Sequence, residues 1–560
     1  MLNYSISFEN PLNQIVKILL EVPVNGNEPL EFKLSNWRPG RYQIQNFSKR
    51  IKKIEAFDEE NKSLTVKKVN KSTWVVTPQG CEKVIVAYEY HAAAMDAGNS
   101  WLDDEQLYLN FINCMLYVDP YIESSCSIKL DLPEDYTIAC GLEQNDHHHL
   151  WSPSFYRLVD SPLFASPNLR RIQFENSQVQ FNIWIQGELD VTDEQLIEDF
   201  DAYTSKQIEV MGPFPCKAYH YLYQILPYKH YHGVEHWNST VITLGPSEYI
   251  AKREGYLDLL GVSSHELFHT WNVIRMRPKE MTPYDFEGEN YHHTGYVTEG
   301  VTTYYGDLFL ARSGVFSLNE YLAELNKLLK RHYENEGRHN LSVANSSYDL
   351  WLDGYEKGVP GRKVSIYNEG ALAALILDLT IRLKWENRKS LDDVMRQLWQ
   401  THGVDESGYT AEDYQKAAES VYEEPLGEYF GSILYGTTPY ENYLSPLFKS
   451  FGLSFELKDS ERPEERHFGF RLLNNSISDI ASDSPANAGL MTKDQIISVN
   501  GLKPENADFE AEDLRLTVNR YGRTLEIDLA KTAQSHFSIY QVSQSEPNIL
   551  QRGWLESCIK

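Results

Sequence analysis

The stretch "SSHELFHTWN", Ser263 to Asn272, decides whether the middle of this chain holds a metal site or an ordinary helix. His265 and His269 are four residues apart, and on a helix this spacing places both imidazoles on one face. Two such neutral nitrogens can bind one zinc ion at about 2.0–2.1 Å. Glu266 lies beside them, where its carboxylate can act as a general base toward an attacking water. The pattern is short, so its meaning depends on whether the chain supplies a third ligand.

Glu299, in the stretch "TEGVTTYYGDL", is the candidate for that third ligand, with 29 residues between it and His269. The residues after it recur at helical spacing and predict a buried stripe on a second helix: Val301, Tyr304, Tyr305 and Leu308. A glutamate in the first turn of that helix can cross to the first helix and complete a His2Glu site with one open position. The alternative is that Glu299 only caps its own helix, because acidic residues favour the first turn.

Two further stretches carry candidate substrate-binding and catalytic groups. "YHGVEHW" (231–237) follows a predicted strand and contains Gly233 and Glu235. A carboxylate on an edge strand beside zinc could hold the free α-amine of a peptide. The alternative is that Glu235 is a surface glutamate in a loop. Tyr367, in "SIYNEGALAALILDL", comes just before a predicted helix. Its phenol could donate to a developing oxyanion, and the alternative is a core tyrosine.

Composition limits the classes of function. The length of 560 residues predicts about three to four domains. With 42% hydrophobic residues, the chain can build their cores. A net charge of −28 argues against nucleic acid or an anionic membrane as partner. "MLNYSISFEN" has neither a basic nor an apolar leader region, and none of the six cysteines forms a CxxC pair. These features predict a soluble, cytoplasmic protein.

Hydrophobic periodicity divides the chain into three parts. Residues 1–175 show alternation in runs such as "LEFKL" and "SIKLDL", which is typical of an all-β sandwich. Helical spacing then dominates, and an α+β core with a helical lobe is expected over 176–454. Ser/Thr residues followed three positions later by an acid predict helix starts at Ser317, Ser390 and Thr410. A charged stretch, "DSERPEER", and new short strands predict a further domain over 455–560.

Together these residues resemble the glycyl aminopeptidase family of gluzincin zinc metallopeptidases, which is related to the aminopeptidase N family and whose members carry a PDZ domain. "LSNWRPGRYQIQNFSKRI" resembles the Trp-x-Pro-Gly-Ser-Tyr segment of the N-terminal β domain, with Arg41 where serine is usual. "YHGVEHWNST" resembles the family's Gly-Gly-x-Glu-His-x-x-Ser-Thr strand, with His232 for the first glycine. "HELFHTWNVIRMRP" and "TEGVTTYYGDL" are similar to its zinc helix and its glutamate helix.

The resemblance implies a fold and a role for each matching residue. The N-terminal all-β sandwich (1–175) would precede a thermolysin-like α+β peptidase domain with a helical lobe (176–454) and a C-terminal PDZ-like domain with a tail (455–560). His265, His269 and Glu299 would bind one zinc ion per chain, and Glu266 would act as the base and then as the acid. Glu235, next to Gly233 in the same strand, would anchor the substrate's α-ammonium.

Two departures from the family's pattern fall near these roles. Tyr367 would be the tyrosine of a Tyr-x-Lys-Gly segment, in which Glu369 here replaces lysine. "HFGF" (467–470) resembles a PDZ carboxylate-binding loop, which makes Phe468, Gly469 and Phe470 candidate peptide-binding residues. "SPANAGLMTKDQIISVNG" continues that likeness, with Lys493 in place of the usual glycine. The groove would take a peptide ligand or a segment of the chain itself.

The preferred hypothesis is a zinc aminopeptidase that removes N-terminal residues from peptides, including small ones such as Gly or Ala, by attack of zinc-activated water. One alternative is a thermolysin-type endopeptidase, in which Glu235 holds no amine. Another is a non-catalytic PDZ scaffold with an inert metal site. The intact Glu266 argues against the scaffold, because an inert site would not need the base.

Overall fold

The computed structural model describes the chain except residues 25, 147, 357 and 557–560. The N-terminal unit, residues 2–166, is built mainly from strands. They are β1 (Leu2–Ser7), β2 (Ile15–Pro23), β3 (Leu30–Lys33), β4 (Ile51–Phe57), β5 (Ser63–Leu64), β6 (Val66–Lys68), β7 (Thr73–Val76), β8 (Lys83–His91), β9 (Trp101–Leu102), β10 (Leu107–Leu109), β11 (Cys126–Asp131), β12 (Thr137–Cys140), β13 (Glu143–Asp146), β14 (His149–Ser152) and β15 (Leu163–Ser166), with one short helix, α1 (Phe155–Val159).

The strands of the N-terminal unit form three sheets around one core. Their orders are β13-β14-β11-β1-β2-β8-β4-β5, β12-β15-β10-β9 and β3-β7-β6. In β2 and β8 every second side chain is buried, because alternate residues of a strand face opposite sides. The predicted β character is confirmed, and β1 pairs with β11 in parallel orientation, so the large sheet is mixed.

The central unit starts with a five-stranded sheet of order β16-β17-β18-β20-β19. Its strands are β16 (Arg170–Asn176), β17 (Val179–Gln186), β18 (Ala218–Ile225), β19 (His230–His236) and β20 (Ser239–Gly245). The sheet therefore begins a few residues before the boundary predicted at 175. β19 lies at the edge and pairs only with β20, in antiparallel orientation.

Helices make up most of the rest of the central unit. They are α2 (Asp193–Met211), α3 (Ser247–Ile250), α4 (Arg253–Phe268), α5 (Thr302–Arg312), α6 (Leu318–Tyr333), α7 (Val343–Tyr348), α8 (Leu350–Asp353), α9 (Ile366–Trp385), α10 (Leu391–Leu398), α11 (Ala411–Tyr422), α12 (Gly427–Tyr429) and α13 (Glu441–Ser450). Capping boxes at Ser317, Ser390 and Thr410 confirm the predicted starts of α6, α10 and α11. No helix among the described residues is long and apolar enough to cross a bilayer.

The C-terminal part contains a separate unit and a segment that returns to the central unit. Its elements are β21 (Leu453–Lys458), β22 (Phe470–Leu473), β23 (Ser476–Ile480), β24 (Gln495–Val499), β25 (Asp513–Arg520), β26 (Arg523–Ala530), β27 (Ile539–Gln544) and α14 (Ile549–Leu555). Strands β22 to β26 form one sheet with its own core, which we call the third unit (459–538). Its assignment as a PDZ-like domain stays a prediction.

Residues 539–555 pack against the central unit, although they fall within the range 455–560 predicted for the last domain, and that range stays a prediction. β27 pairs with β21, and Trp554 of α14 is fully buried in the central core. The indole Nε1 of Trp554 donates to the hydroxyl of Tyr304 (2.9 Å), and Arg312 Nε donates to the Trp554 carbonyl (3.1 Å). Both partners lie in α5, so the last helix supports the helix that follows Glu299.

Candidate metal centre and active site

The three predicted metal ligands come together at the end of α4. The Nε2 atoms of His265 and His269 are 3.0 Å apart, and Glu299 Oε2 lies 3.7 Å from the first and 3.4 Å from the second. Two ligand atoms bound to one tetrahedral zinc at about 2.0–2.1 Å lie about 3.3 Å from each other. Both the donor set and the spacing of the three atoms therefore fit one zinc ion.

A hydrogen bond fixes the protonation of His269. Its Nδ1 lies 2.7 Å from the backbone carbonyl of Asn272, which can only accept, so Nδ1 carries the proton. The lone pair on Nε2 then faces the other two ligands, as a metal site requires. The Asn272 side chain donates to the Val297 carbonyl (2.8 Å) and to the hydroxyl of Thr302 (3.0 Å). The residues after α4 thus hold the Glu299 segment in place.

Glu299 lies inside a wide helical turn, whereas we predicted that its helix begins there. A π-helical turn, Tyr296–Val301, runs directly into α5, and π-helical turns are frequent at functional sites. Gly300 packs against Gly370 of α9: a Cβ added at Gly370 would lie 2.7 Å from the Gly300 Cα. This backbone contact sets the position of α9, and of Tyr367 on it, relative to Glu299.

Glu266 lies between the ligands and the edge strand β19. A Cβ at Gly233 would overlap Glu266 Oε1, so the glycine leaves room for the carboxylate. Oε2 is buried and has no hydrogen-bond partner among the described residues. Burial and the nearby carboxylates of Glu235 and Glu299 raise the pKa of Glu266, against the opposing effect of His269. The structure therefore leaves one carboxylate oxygen free to exchange a proton.

Glu235 completes a ring of acids around the ligands. It is 5% exposed. One carboxylate oxygen of Glu235, one of Glu266 and one ring nitrogen of His269 all lie within 4.8 Å of one another. Burial raises the pKa of Glu235, although His269 opposes this. Gly40 of the N-terminal unit closes over it: a Cβ there would be 2.8 Å from Glu235 Oε2. A cation placed beside this carboxylate would offset the cost of its burial.

Tyr367 lies in the first turn of α9 and is half-buried. Burial raises the pKa of its phenol, and the charges of Glu299 and Glu235 act in the same direction, which places it in their neighbourhood. Tyr355 forms a hydrogen bond with Tyr367, and its own hydroxyl accepts from the Tyr42 amide (3.4 Å). Sequence reasoning found Tyr367 but missed Tyr355, for which no local motif exists.

The N-terminal unit supplies a wall of the site that sequence reasoning did not assign. Arg38 is 2% exposed and its Nε has no hydrogen-bond partner among the described residues. Its charge lowers the pKa of Asp96 and opposes the rise at Glu266. Arg38, Gly40 and Tyr42 all lie in the stretch "WRPGRY". This stretch is recognisable as a motif in the sequence, but no function was assigned to it.

Other predicted positions lie elsewhere. Glu369 Oε2 contacts His332 Nδ1 of α6 at 2.7 Å, and both side chains are buried. Phe468 and Phe470 are fully buried in the third unit, and Gly469 has a φ of 73°. The Thr532 amide donates to the carbonyl of the residue before Phe468 (3.2 Å), so a segment of the chain itself runs beside this loop. A peptide-binding role for the loop stays a prediction.

Comparison with known proteins places this geometry in a family. The sequence profile of the peptidase M61 N-terminal domain matches residues 3–167, and that of M61 glycyl aminopeptidase matches 258–373. No curated protein sequence gives a significant match. A crystal structure of an aminopeptidase N family protein from Idiomarina loihiensis is similar over 99% of this chain and 100% of that chain, with 25% identity and a TM-score of 0.91. An M1 zinc metallopeptidase from Deinococcus radiodurans is similar over 78% of this chain and 94% of that chain, with 12% identity and a TM-score of 0.48.

The two family profiles together cover half of the chain, and the second contains His265, Glu266, His269 and Glu299. The solved aminopeptidase N family structure covers the whole length with the same fold. The chain belongs to the M61 glycyl aminopeptidase family.

Proposed function

We propose that the zinc aminopeptidase activity of this chain is carried by one zinc ion held by His265, His269 and Glu299. The triangle of ligand atoms, the proton on His269 Nδ1 and the burial of Glu299 support this assignment. When bound, zinc would polarise the scissile carbonyl and the attacking water as a Lewis acid. The remaining steps belong to the side chains around it.

Glu266 accepts a proton at Oε2 from the attacking water and then delivers it to the nitrogen of the leaving amine. Its free, buried oxygen and its fixed position against Gly233 support this role. Tyr367 donates its hydroxyl proton in a hydrogen bond to the carbonyl oxygen as negative charge develops there. The charge of Glu299 raises the pKa of the Tyr367 phenol, and this proximity supports the role.

Glu235 holds the substrate's α-ammonium, and this buried carboxylate is the single observation that favours an aminopeptidase over an endopeptidase. A charge-assisted hydrogen bond between the two would be strong in a site shielded from water. Gly40 lies over the Glu235 carboxylate, which opposes a peptide chain that continues past its amine.

A cytoplasmic location and peptide substrates complete the proposal. The cysteines that the structure describes are unpaired, in keeping with a reducing compartment. The family to which the chain belongs acts on peptides with a free amino end.

The test compares glycyl and alanyl chromogenic amides with their N-acetylated forms in wild type and in Glu235→Gln. We expect wild type to cleave the free-amine forms far better. The variant should keep its zinc and lose about 10–100-fold in kcat/KM on free amines, the effect of one charge-assisted hydrogen bond. Glu175→Gln, which changes an exposed glutamate on the opposite edge strand β16, is the matched control.

Equal cleavage of both substrate forms by wild type would favour the endopeptidase alternative. A free-to-acetylated ratio that survives Glu235→Gln would show that another group holds the amine. A zinc-loaded protein that cleaves neither form of any peptide would favour the scaffold alternative.

A further inference from the structure

A cavity of about 460 Å³ lies between the N-terminal unit and the central unit. We call it the arginine cavity after the side chains that line it. The residues that matter here are Arg157, Asp160, Trp237, Arg275, Arg277 and Tyr284.

Three guanidinium groups of the arginine cavity are stacked on aromatic rings. Arg157 Cζ lies 3.4 Å and Arg275 Cζ 3.9 Å from the ring centre of Trp237. Arg277 Cζ lies 3.9 Å from the ring centre of Tyr284. Two guanidinium groups therefore contact the same indole, and their like charges repel each other.

Among the described residues these arginines form no salt bridge, although the chain has 80 acidic and only 52 basic residues and the charges of Asp160 and Glu406 act on Arg157 from a longer distance. Within the described part of the chain, none of the three lies within 4.0 Å of a carboxylate oxygen. Asp160 instead contacts His236 Nδ1 at 3.0 Å, and Glu406, which also lines the cavity, is exposed. Three guanidinium groups without a carboxylate contact therefore line one cavity.

The three arginines differ in how many of their donors are used. Arg275 donates to the carbonyls of Trp237 (3.1 Å) and Thr270 (2.8 Å), so it serves the fold. Arg277 makes one hydrogen bond to a backbone carbonyl, and its Nε is buried without a partner. The side chain of Arg157 has no hydrogen-bond partner among the described residues. Burial lowers the pKa of Arg157 to about 9; the charge of Asp160 opposes this shift, and that of Arg275 adds to it. An anion bound beside Arg157 would offset both the burial of its charge and its repulsion from Arg275.

The arginine cavity adjoins the amine end of the active site. Arg38 and Pro39 line it and directly precede Gly40, which contacts Glu235. Burial raises the pKa of Tyr284; Arg277 opposes this, and the charges of Asp160, Glu235 and Glu299 add to it, so groups of the cavity and of the active site both act on this phenol.

We propose that the arginine cavity binds a carboxylate carried on an apolar stem. Arg157 and Arg277 donate to the carboxylate as bidentate guanidinium groups do, and the stem packs against the apolar side chains that also line the cavity, Ile274 and Phe286. The carboxylate belongs either to the side chain of an acidic first residue of the substrate or to a separate small acid. Only the first source rests on the proposed function.

Binding is tested by calorimetry with phenylacetate, and phenylacetamide is the uncharged ligand of the same shape. Zinc-loaded wild type should bind the acid and not the amide, and Arg157→Gln should weaken binding about tenfold or more. Arg388→Gln is the control, because it removes an exposed guanidinium that also lies over an indole, 5.4 Å from its centre. Arg277→Gln gives a second variant if Arg157→Gln does not fold.

A carboxylate held by the metal would bind equally well in both arginine variants, and this result would overturn the proposal. So would equal binding of the acid and the amide. This measurement needs no turnover, so it stands even if the aminopeptidase assignment fails.

The source of the carboxylate is tested by kcat/KM for glutamyl and glutaminyl chromogenic amides. A higher value for the glutamyl substrate that falls in Arg157→Gln, but not in Arg388→Gln, assigns the cavity to the first residue of the substrate. Equal values together with phenylacetate binding assign it to a separate acid. Equal values without phenylacetate binding mean that the arginines only brace the two units.

Discussion

Replacing Gly233 by alanine tests the placement of Glu266 without changing any charge. The added methyl would overlap Glu266 Oε1 and lie 2.8 Å from both Glu266 Cδ and Val262 Cγ2. Non-bonded carbon atoms normally approach to about 3.5–4.0 Å, so the carboxylate has to move by about 1 Å. A displacement of that size can cost about 10²-fold in rate, and we expect this loss in kcat/KM. The atoms nearest to the added methyl belong to Glu266 and Val262 and not to a candidate zinc ligand, so the metal should stay bound.

The assay measures kcat/KM, zinc content and thermal unfolding for Gly233→Ala. Overpacking of this kind costs about 1–3 kcal/mol of stability, so unfolding has to be followed alongside activity. Gly427→Ala is the control, because a Cβ there meets no atom within 4 Å. The double variant with Glu266→Gln should lose no more activity than Glu266→Gln alone, since both changes act through one carboxylate. A folded, zinc-loaded Gly233→Ala with native turnover would refute the assigned position of the base.

Other substitutions separate metal, base and fold. Elemental analysis should find about one zinc per chain in wild type and little in His269→Ala, and full zinc in the variant would remove His269 from the ligand set. Glu266→Gln should keep zinc and lower kcat about 10²–10⁴-fold; near-native turnover would mean that another group takes the proton. Trp554→Ala should destabilise the central unit by about 3–5 kcal/mol in chemical unfolding, and an unchanged midpoint would contradict its burial in that core. Lys493→Gly should stabilise the third unit by about 1 kcal/mol, because Lys493 has a φ of 72°; lower stability would mean that its side chain makes a compensating contact.

The convergence of the three candidate metal ligands and the starts of the helices could be predicted because their signals are local. His265 and His269 share a helix face by spacing alone, and Ser317 with Glu320 forms the capping box that their spacing indicates. Glu299 could be predicted because a buried stripe follows it, although the π-helical turn that precedes α5 could not. A wide turn depends on the packing of Gly300 against Gly370, and these residues are far apart in the sequence.

Contacts between units left no such local signal. Gly40 and Arg38 approach Glu235 and Glu266 from a loop almost two hundred positions away, and periodicity describes only a segment's own face. The arginine cavity depends on the same junction, since Arg157 and Trp237 meet only when the two units pack together. For the same reason the charged stretch near residue 459 indicated where the third unit begins, but not that Trp554 returns to the central core.

Two of the departures from the family's sequence pattern, Glu369 and Lys493, have opposite physical consequences. Glu369 replaces a lysine at a buried position, and an unpaired carboxylate there would be costly. His332 lies 2.7 Å away and stacks on Tyr440, so the charge has a partner and the helix that carries Tyr367 is held in place. Lys493 instead replaces a glycine at a left-handed backbone position, where a side chain costs about 1–2 kcal/mol. The replacement in α9 thus has a second residue as partner, whereas the one in the third unit adds backbone strain.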